Sequence, residues 1–278
     1  MMHKIFATFL FLFSYCSAFA SENPTSVTDT SSYRDFCYLA ATDDEVFQSF
    51  KREPVYRGVL EHVSYELGIE YLKIIQERYP DLLLNWDKFS TNDLIGSPIV
   101  CYYPELGNVS PSTLRYVKIL GEIRSLFGDL SNKKIIEIGG GYGGQCKIIS
   151  DQFAFNEYVI VDLPEPLQLT KKYLSNLGVN HVRLVPPTEI QEEECDLFIS
   201  NYAFSECQRS MQAEYLEKYI LKSSAGYMIH NNYREIMEPK SFSIMEIYTQ
   251  LKMKGYKVRF YPEEPCTANR NILITWTK

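Results

Sequence analysis

The stretch "KKIIEIGGGYGGQCKII", Lys133 to Ile149, sets five glycines in six residues between a short apolar run and an amphipathic one. The apolar run is too short for a buried helix and reads as a strand, and the amphipathic run reads as the helix that follows it. Glycines at such a junction permit a tight turn. They also let a ligand approach the backbone, close to the free N–H groups at the helix N-terminus.

The same alternation continues on the C-terminal side. "YVIVD", "HVRLV", "CDLFISN" and "YMIHN" read as strands; "PLQLTKKYLSNLG", "SECQRSMQAEYLEKYILKSSAG" and "SFSIMEIYTQLKMKG" read as helices. The chain closes with "YKVRFYPE" and "NRNILITWT", two strands joined by a turn. Short apolar strands alternating with helices predict a parallel α/β sheet covered on both faces, and the closing hairpin brings in one antiparallel strand.

On the N-terminal side, Ser110-Pro111 reads as an N-cap followed by proline at the first helical position, opening "PSTLRYVKILGEIRSLFG" up to Gly128. Apolar spacing over Val59, Val63, Leu67, Tyr71 and Ile74 predicts further helix, so residues 46–128 form a helical N-terminal region and 129–278 the sheet domain. Residues 21–45, rich in Ser, Thr and Asp, are expected to be a flexible linker. Residues 1–20 carry Lys4, an apolar run and the ending Ala18-Phe19-Ala20. This is the pattern of a secretory signal peptide cleaved after Ala20, with export to the periplasm or medium expected and a cytoplasmic location as the alternative. No later segment approaches transmembrane length, so the mature chain is expected to lack a membrane span.

The 278 residues are 45% hydrophobic and 23% charged, which suits one sizeable α/β domain with an appendage. A net charge of −7 with no Lys/Arg block lacks the basic stripe of a DNA or RNA binder, so no nucleic-acid partner is expected. Beyond the signal, Cys37, Cys101, Cys146, Cys195, Cys207 and Cys266 show neither CxxC nor zinc spacing and read as reduced, core-type cysteines.

Two patterns fit the glycines. Gly139, Gly141 and Gly144 satisfy the G-x-G-x-x-G of dinucleotide folds; Glu137, Gly139, Gly141 and Gly143 satisfy the acid-x-G-x-G-x-G of enzymes that use S-adenosylmethionine. Asp162, ending the second strand, serves ribose hydroxyls in either. Three features separate them. Glu137 would sit near a cationic methionine end but would repel a pyrophosphate. The helix-strand-strand ending is that of a class I methyltransferase sheet. "DLFISNYAFSE" follows the fourth strand, where the transfer site of such enzymes lies. These favour S-adenosylmethionine over a nicotinamide cofactor.

Together "YPELGNVSPSTLRYVKIL", "IIEIGGGYGGQ", "VIVDLPEPLQLTKKYL", "DLFISNYAFSE" and "HNNY", from Tyr103 to Tyr233, resemble a bacterial family described as sugar O-methyltransferases. The resemblance implies a class I, Rossmann-like fold with a seven-stranded, mostly parallel sheet and an antiparallel last strand. It also implies methylation of a hydroxyl on a sugar or glycan acceptor.

A hydroxyl is a poor nucleophile, so a positioned base is needed at the ends of the fourth and fifth strands. His230 and Glu206 are the catalytic candidates, with His230 slightly favoured for its ordinary titration range. Asn201 joins Glu137, Gly139, Gly141, Gly143 and Asp162 as a cofactor residue. Tyr202, Asn231, Asn232 and Tyr233 are the acceptor candidates. Arg115 and Tyr116 are candidates for a wall over the cofactor, and Thr188 for the adenine pocket; no metal site is read. A non-catalytic exported module with this fold is the competing reading.

Overall fold

The computed structural model of the chain describes residues 25–231, 241–268 and 271–278. Its centre is a seven-stranded sheet of β3 (Lys134–Ile138), β4 (Glu157–Val161), β5 (Val182–Val185), β6 (Cys195–Asn201), β7 (Ser223–His230), β8 (Lys257–Pro262) and β9 (Ile272–Thr277). The spatial order is β5-β4-β3-β6-β7-β9-β8. All neighbours pair in parallel except β9, which runs antiparallel to both β7 and β8. This is the class I methyltransferase arrangement. The order reverses at β3, between β4 and β6, and opens a crevice at the carboxyl ends of the strands.

Helices cover both faces. On one lie α6 (Pro111–Phe127), α7 (Gly144–Gln152) and α8 (Pro164–Asn176), sharing a core with Ile135, Tyr158, Ile160, Leu197, Tyr227 and Ile229. On the other lie α10 (Arg209–Lys218) and α11 (Ile244–Met253) against Ile136, Val159, Phe198, Met228 and Trp276. Alternate residues of each strand enter opposite cores, as the two-residue strand period requires. Ser110 caps α6 by accepting from the Ser112 N–H, ahead of Pro111, and Gly128 closes it. The single long helix expected after β6 is instead the short α9 (Ala203–Glu206) and α10, and Ser223–Gly226 belong to β7.

The N-terminal region comprises α1 (Ser31–Thr42), α2 (Asp44–Ser49), α3 (Pro54–Val59), α4 (Tyr65–Arg78), α5 (Trp86–Phe89) and a small ribbon, β1 (Cys101–Tyr103) with β2 (Gly107–Val109). Within the described residues, from Thr25 on, it corrects the linker expected over 21–45. Thr30 caps α1, whose Tyr33, Cys37 and Ala40 are buried against α8 and its neighbours. The polar composition belongs to the outer face of an amphipathic helix, not to an unstructured segment. Residues 1–24, including the expected signal, lie outside the described residues.

Buried polar groups fasten this region to the sheet domain. The Lys51 ammonium, wholly buried, donates to the Asn92 carbonyl at 2.6 Å and lies 4.3 Å from the Tyr142 ring centroid. Tyr173 of α8 donates to Asn92 Oδ1 at 2.5 Å, and Asp93 accepts from Ser110 N and Thr113 Oγ1 at the start of α6. Desolvation pushes the Lys51 pKa down to about 8. All six cysteines beyond the signal are free thiols, and no described helix is long and apolar enough to cross a membrane.

Candidate active site

The strand register brings the site together. Ile138 of β3 lies opposite Val161 of β4 and Ser200 of β6, and Asn201 lies opposite Ile229 of β7. The residues just beyond, Gly139, Asp162, Tyr202 and Asn231, therefore emerge at one edge. A cavity of about 490 Å3 opens there, within the roughly 300–1,000 Å3 of small-molecule sites.

Its floor is the glycine loop. Gly139, Gly141 and Gly143 have φ of +68°, +56° and +90°, a region side chains avoid. A Cβ on Gly139 would come within 2.1 Å of the Ala203 methyl, and one on Gly141 within 2.4 Å of Leu60 Cδ1. Gly139, Gly140 and Gly141 line the cavity; Gly143 does not, and serves as the left-handed start of α7 against Leu174.

Two carboxylates flank the loop. Asp162 accepts from the Gly141 and Leu163 N–H groups, both at 2.8 Å, and desolvation raises its pKa to about 6 against those bonds. Glu137, 2% exposed, accepts from the Tyr158 hydroxyl at 2.9 Å, and desolvation raises it to about 7. Beside it Asn201 Oδ1 is buried with no partner among the described residues. An unsatisfied carbonyl oxygen next to a buried acid is a seat for a donor or cation brought by a ligand.

A second group of side chains in the cavity differs in chemistry. Tyr202 sits at φ +71°, an unusual value for a bulky residue, and its hydroxyl donates to Glu263. The other oxygen of Glu263 accepts from Thr267 N, Thr267 Oγ1 and Asn271 Nδ2 at 3.0, 2.7 and 3.0 Å. Asn231 donates its N–H to Ser205 Oγ and its amide to Glu206 Oε1, both at 3.0 Å. Desolvation raises the Glu206 pKa and the Asn231 bond partly offsets it.

The roof comes from the N-terminal region: Leu60, His62, Val63, Leu67 and Tyr71, with Arg115 and Tyr116 of α6. Residues Thr25–Thr28 form a strap across the carboxyl edge. Val27 donates to the Glu206 carbonyl at 3.1 Å and Gln208 to the Thr25 carbonyl at 2.9 Å. Beneath the strap lies a second, 50 Å3 hollow between Asp162, Leu163, Pro187 and Glu206.

Of the expected residues, Glu137, Gly139, Gly141, Asp162, Asn201, Tyr202, Glu206 and Asn231 line the cavity. His230 does not, which corrects its place in the site. It shares the β7 face of Met228, turned to the opposite core, and both ring nitrogens are buried without a partner among the described residues. Burial pushes its pKa down to about 4. Thr188 is exposed outside the cavity, while its neighbour Pro187 lines the small hollow. Asn232 and Tyr233 lie outside the described residues. Sequence reading missed the strap, Leu60 and the Glu263–Thr267–Asn271 group, none of which carries a local motif.

The chain matches no protein-family model and no curated protein. Solved structures do resemble it. One is a protein of Pyrococcus horikoshii assigned as an RNA methyltransferase, 17% identical over 60% of this chain and 83% of that one, with a TM-score of 0.44. Another is an rRNA methylase of Streptococcus thermophilus, 14% identical over 59% and 96%, at 0.42. A third is an S-adenosylmethionine-dependent methyltransferase of Aquifex aeolicus, 15% identical over 56% and 86%, at 0.40.

Proposed function

We propose that the protein transfers a methyl group from S-adenosylmethionine to a hydroxyl of a sugar or glycan. The observation that carries this reading is one cavity with two chemically distinct groups of lining residues. In the first, Glu137 and the orphaned Asn201 Oδ1 offer acceptors to a cationic amino-acid moiety, the glycine loop offers close backbone approach, and Asp162 is poised for ribose hydroxyls. A pyrophosphate would meet the Glu137 carboxylate instead. In the second, Asn231, Tyr202, Thr267 and Asn271 supply neutral hydrogen-bonding groups and an aromatic face suited to a polyhydroxylated acceptor.

Bound S-adenosylmethionine supplies the activated methyl. The chain's own residues align the acceptor and receive its proton. Glu206 is the candidate base: burial raises its basicity, it lines the cavity, and the Asn231 amide fixes its carboxylate. Asn231 thereby also ties the base to the end of β7. The roof excludes water from the transfer.

The test is calorimetric titration of the chain from Ser21 with S-adenosylmethionine and, separately, NADH, with Gly141→Val as control. Micromolar binding of the first, lost in Gly141→Val, supports the reading, and a panel of sugar acceptors with labelled methyl then tests the substrate. Binding of NADH alone would sink it. We also propose residues 1–20 as a secretory signal. Mass spectrometry of the chain isolated from cells expressing all 278 residues should find Ser21 at the N-terminus; an intact Met1 would count against export.

A further inference from the structure

Arg115 is 7% exposed and lines the cavity, yet has no ion-pair partner among the described residues. Its Nη2 donates to the Leu60 carbonyl at 3.0 Å, and its guanidinium lies 5.2 Å from the Tyr116 ring centroid. Glu61 acts on it only through space, and desolvation drives that carboxyl toward its neutral form. A buried cation without an anion is costly, so this one is built to receive an anion from a ligand.

The position specifies which anion. Leu60, whose carbonyl holds Arg115, is the residue a Cβ on Gly141 would strike, and Tyr116 packs where a Cβ on Gly144 would lie. Arg115 therefore stands by the glycine loop, in the wall of the cavity that Glu137 and Asn201 also line. The two groups are complementary in sign: buried acceptors on the floor, an unpaired guanidinium in the roof. An α-amino acid presents that pair of charges on adjacent atoms.

We infer that Arg115 binds the α-carboxylate of the methionine moiety of S-adenosylmethionine, with the Glu137–Asn201 seat taking its α-ammonium. The assignment rests on the cofactor reading above. The Leu60 bond and the Tyr116 ring fix the planar fork of the guanidinium in advance, which suits two-point recognition of a carboxylate.

The experiment compares binding of S-adenosylmethionine, its decarboxylated analogue and methylthioadenosine, which lacks the amino-acid part, to the wild type and to Arg115→Gln. The wild type should prefer S-adenosylmethionine over the decarboxylated analogue by roughly 100-fold, the scale of a desolvated charge pair. Arg115→Gln should bind both alike while keeping wild-type affinity for methylthioadenosine, which also reports that the pocket is intact. Arg115→Lys, which keeps the charge, should keep part of the preference and serves if the glutamine variant unfolds. A variant that retains the full preference overturns the assignment and leaves the cofactor reading standing. So does a wild type without preference; a carboxylate on the acceptor would then be the anion, seen as an Arg115-dependent KM for acidic over neutral sugars. A wild type that binds none of the three compounds overturns both.

Discussion

The floor and the roof of the cavity are made by different means. The floor is made of strand ends: a parallel register sets Gly139, Asp162, Tyr202 and Asn231 at one edge, and each follows directly from where its strand stops. The roof is made of segments remote in sequence, held by buried polar bonds such as Lys51 to Asn92 and Tyr173 to Asn92. Two desolvated acids on the floor, Glu137 and Asp162, have no ion-pair partner among the described residues. In the roof the charge of interest is a cation. On the proposed reading, a cationic ligand would relieve the buried acids of the floor, and the roof would close over it.

The largest effect of that difference should appear in the empty protein's stability. Glu137 titrates at about 7 when folded against 4.5 as an ordinary glutamate. The folded state therefore binds the proton more tightly, and stability is highest below the unfolded value. It falls as pH rises from about 4.5 to 7, by about 3 kcal/mol for this group, and then levels off. The wild type minus Glu137→Gln difference in denaturation across that window should show the decline; in the raw curve Asp162 adds to it, while His230, held at about 4 by burial, opposes it. Glu137→Gln should remove the Glu137 part. Saturating S-adenosylmethionine should flatten the slope, because a cation favours the ionised carboxylate. A difference between wild type and Glu137→Gln that stays flat with pH through the window would mean that Glu137 is not desolvated in the folded chain.

Next comes Asp162→Ala. It removes a carboxylate that both holds Gly141 and faces the cavity, and affinity for S-adenosylmethionine should drop about 100-fold by calorimetry. A loss under threefold would place the ribose elsewhere and break the account of the floor.

The floor was legible in the sequence for a physical reason. A strand ending in an acid and glycines is a local pattern, because the ligand's demands on backbone conformation fall on adjacent residues. Gly139 and Gly141 at positive φ are that demand met. His230 shows the limit of such reading. Its place at the end of β7 was evident, but which face it takes depends on register, and one residue's shift exchanges His230 for Asn231 in the cavity. The roof was not legible because long-range contact fixes it. Thr25–Thr28 look like linker until paired with residues 206–208, and Glu263 is unremarkable until Tyr202 reaches it.

A smaller effect tests the strap. Starting the chain at Thr30 removes residues 25–29 but keeps the cap of α1. The hollow between Asp162, Leu163 and Pro187 then loses its cover. Affinity for S-adenosylmethionine and for methylthioadenosine should fall together, by about tenfold, the value of one or two lost contacts. Equal losses for both ligands would distinguish the strap from Arg115, which should affect only the ligand with a carboxylate. No loss for either would make the strap a structural tie alone.

The smallest expected effect is among the acceptor residues. Tyr202→Phe keeps the ring and its φ but withdraws one of four donors from the Glu263 carboxylate, which retains Thr267 and Asn271. Because that carboxylate stays satisfied, the fold should tolerate the change with a loss of about 1 kcal/mol in stability. Affinity for S-adenosylmethionine should stay within twofold of the wild type, since the Tyr202 hydroxyl is bonded to Glu263 and to neither Glu137 nor Asp162. The KM for a sugar acceptor should rise about threefold to tenfold as the acceptor loses a positioned hydroxyl. If cofactor affinity fell instead while the acceptor KM held, the two groups of lining residues would have to exchange roles, with Tyr202 and Glu263 assigned to the cofactor.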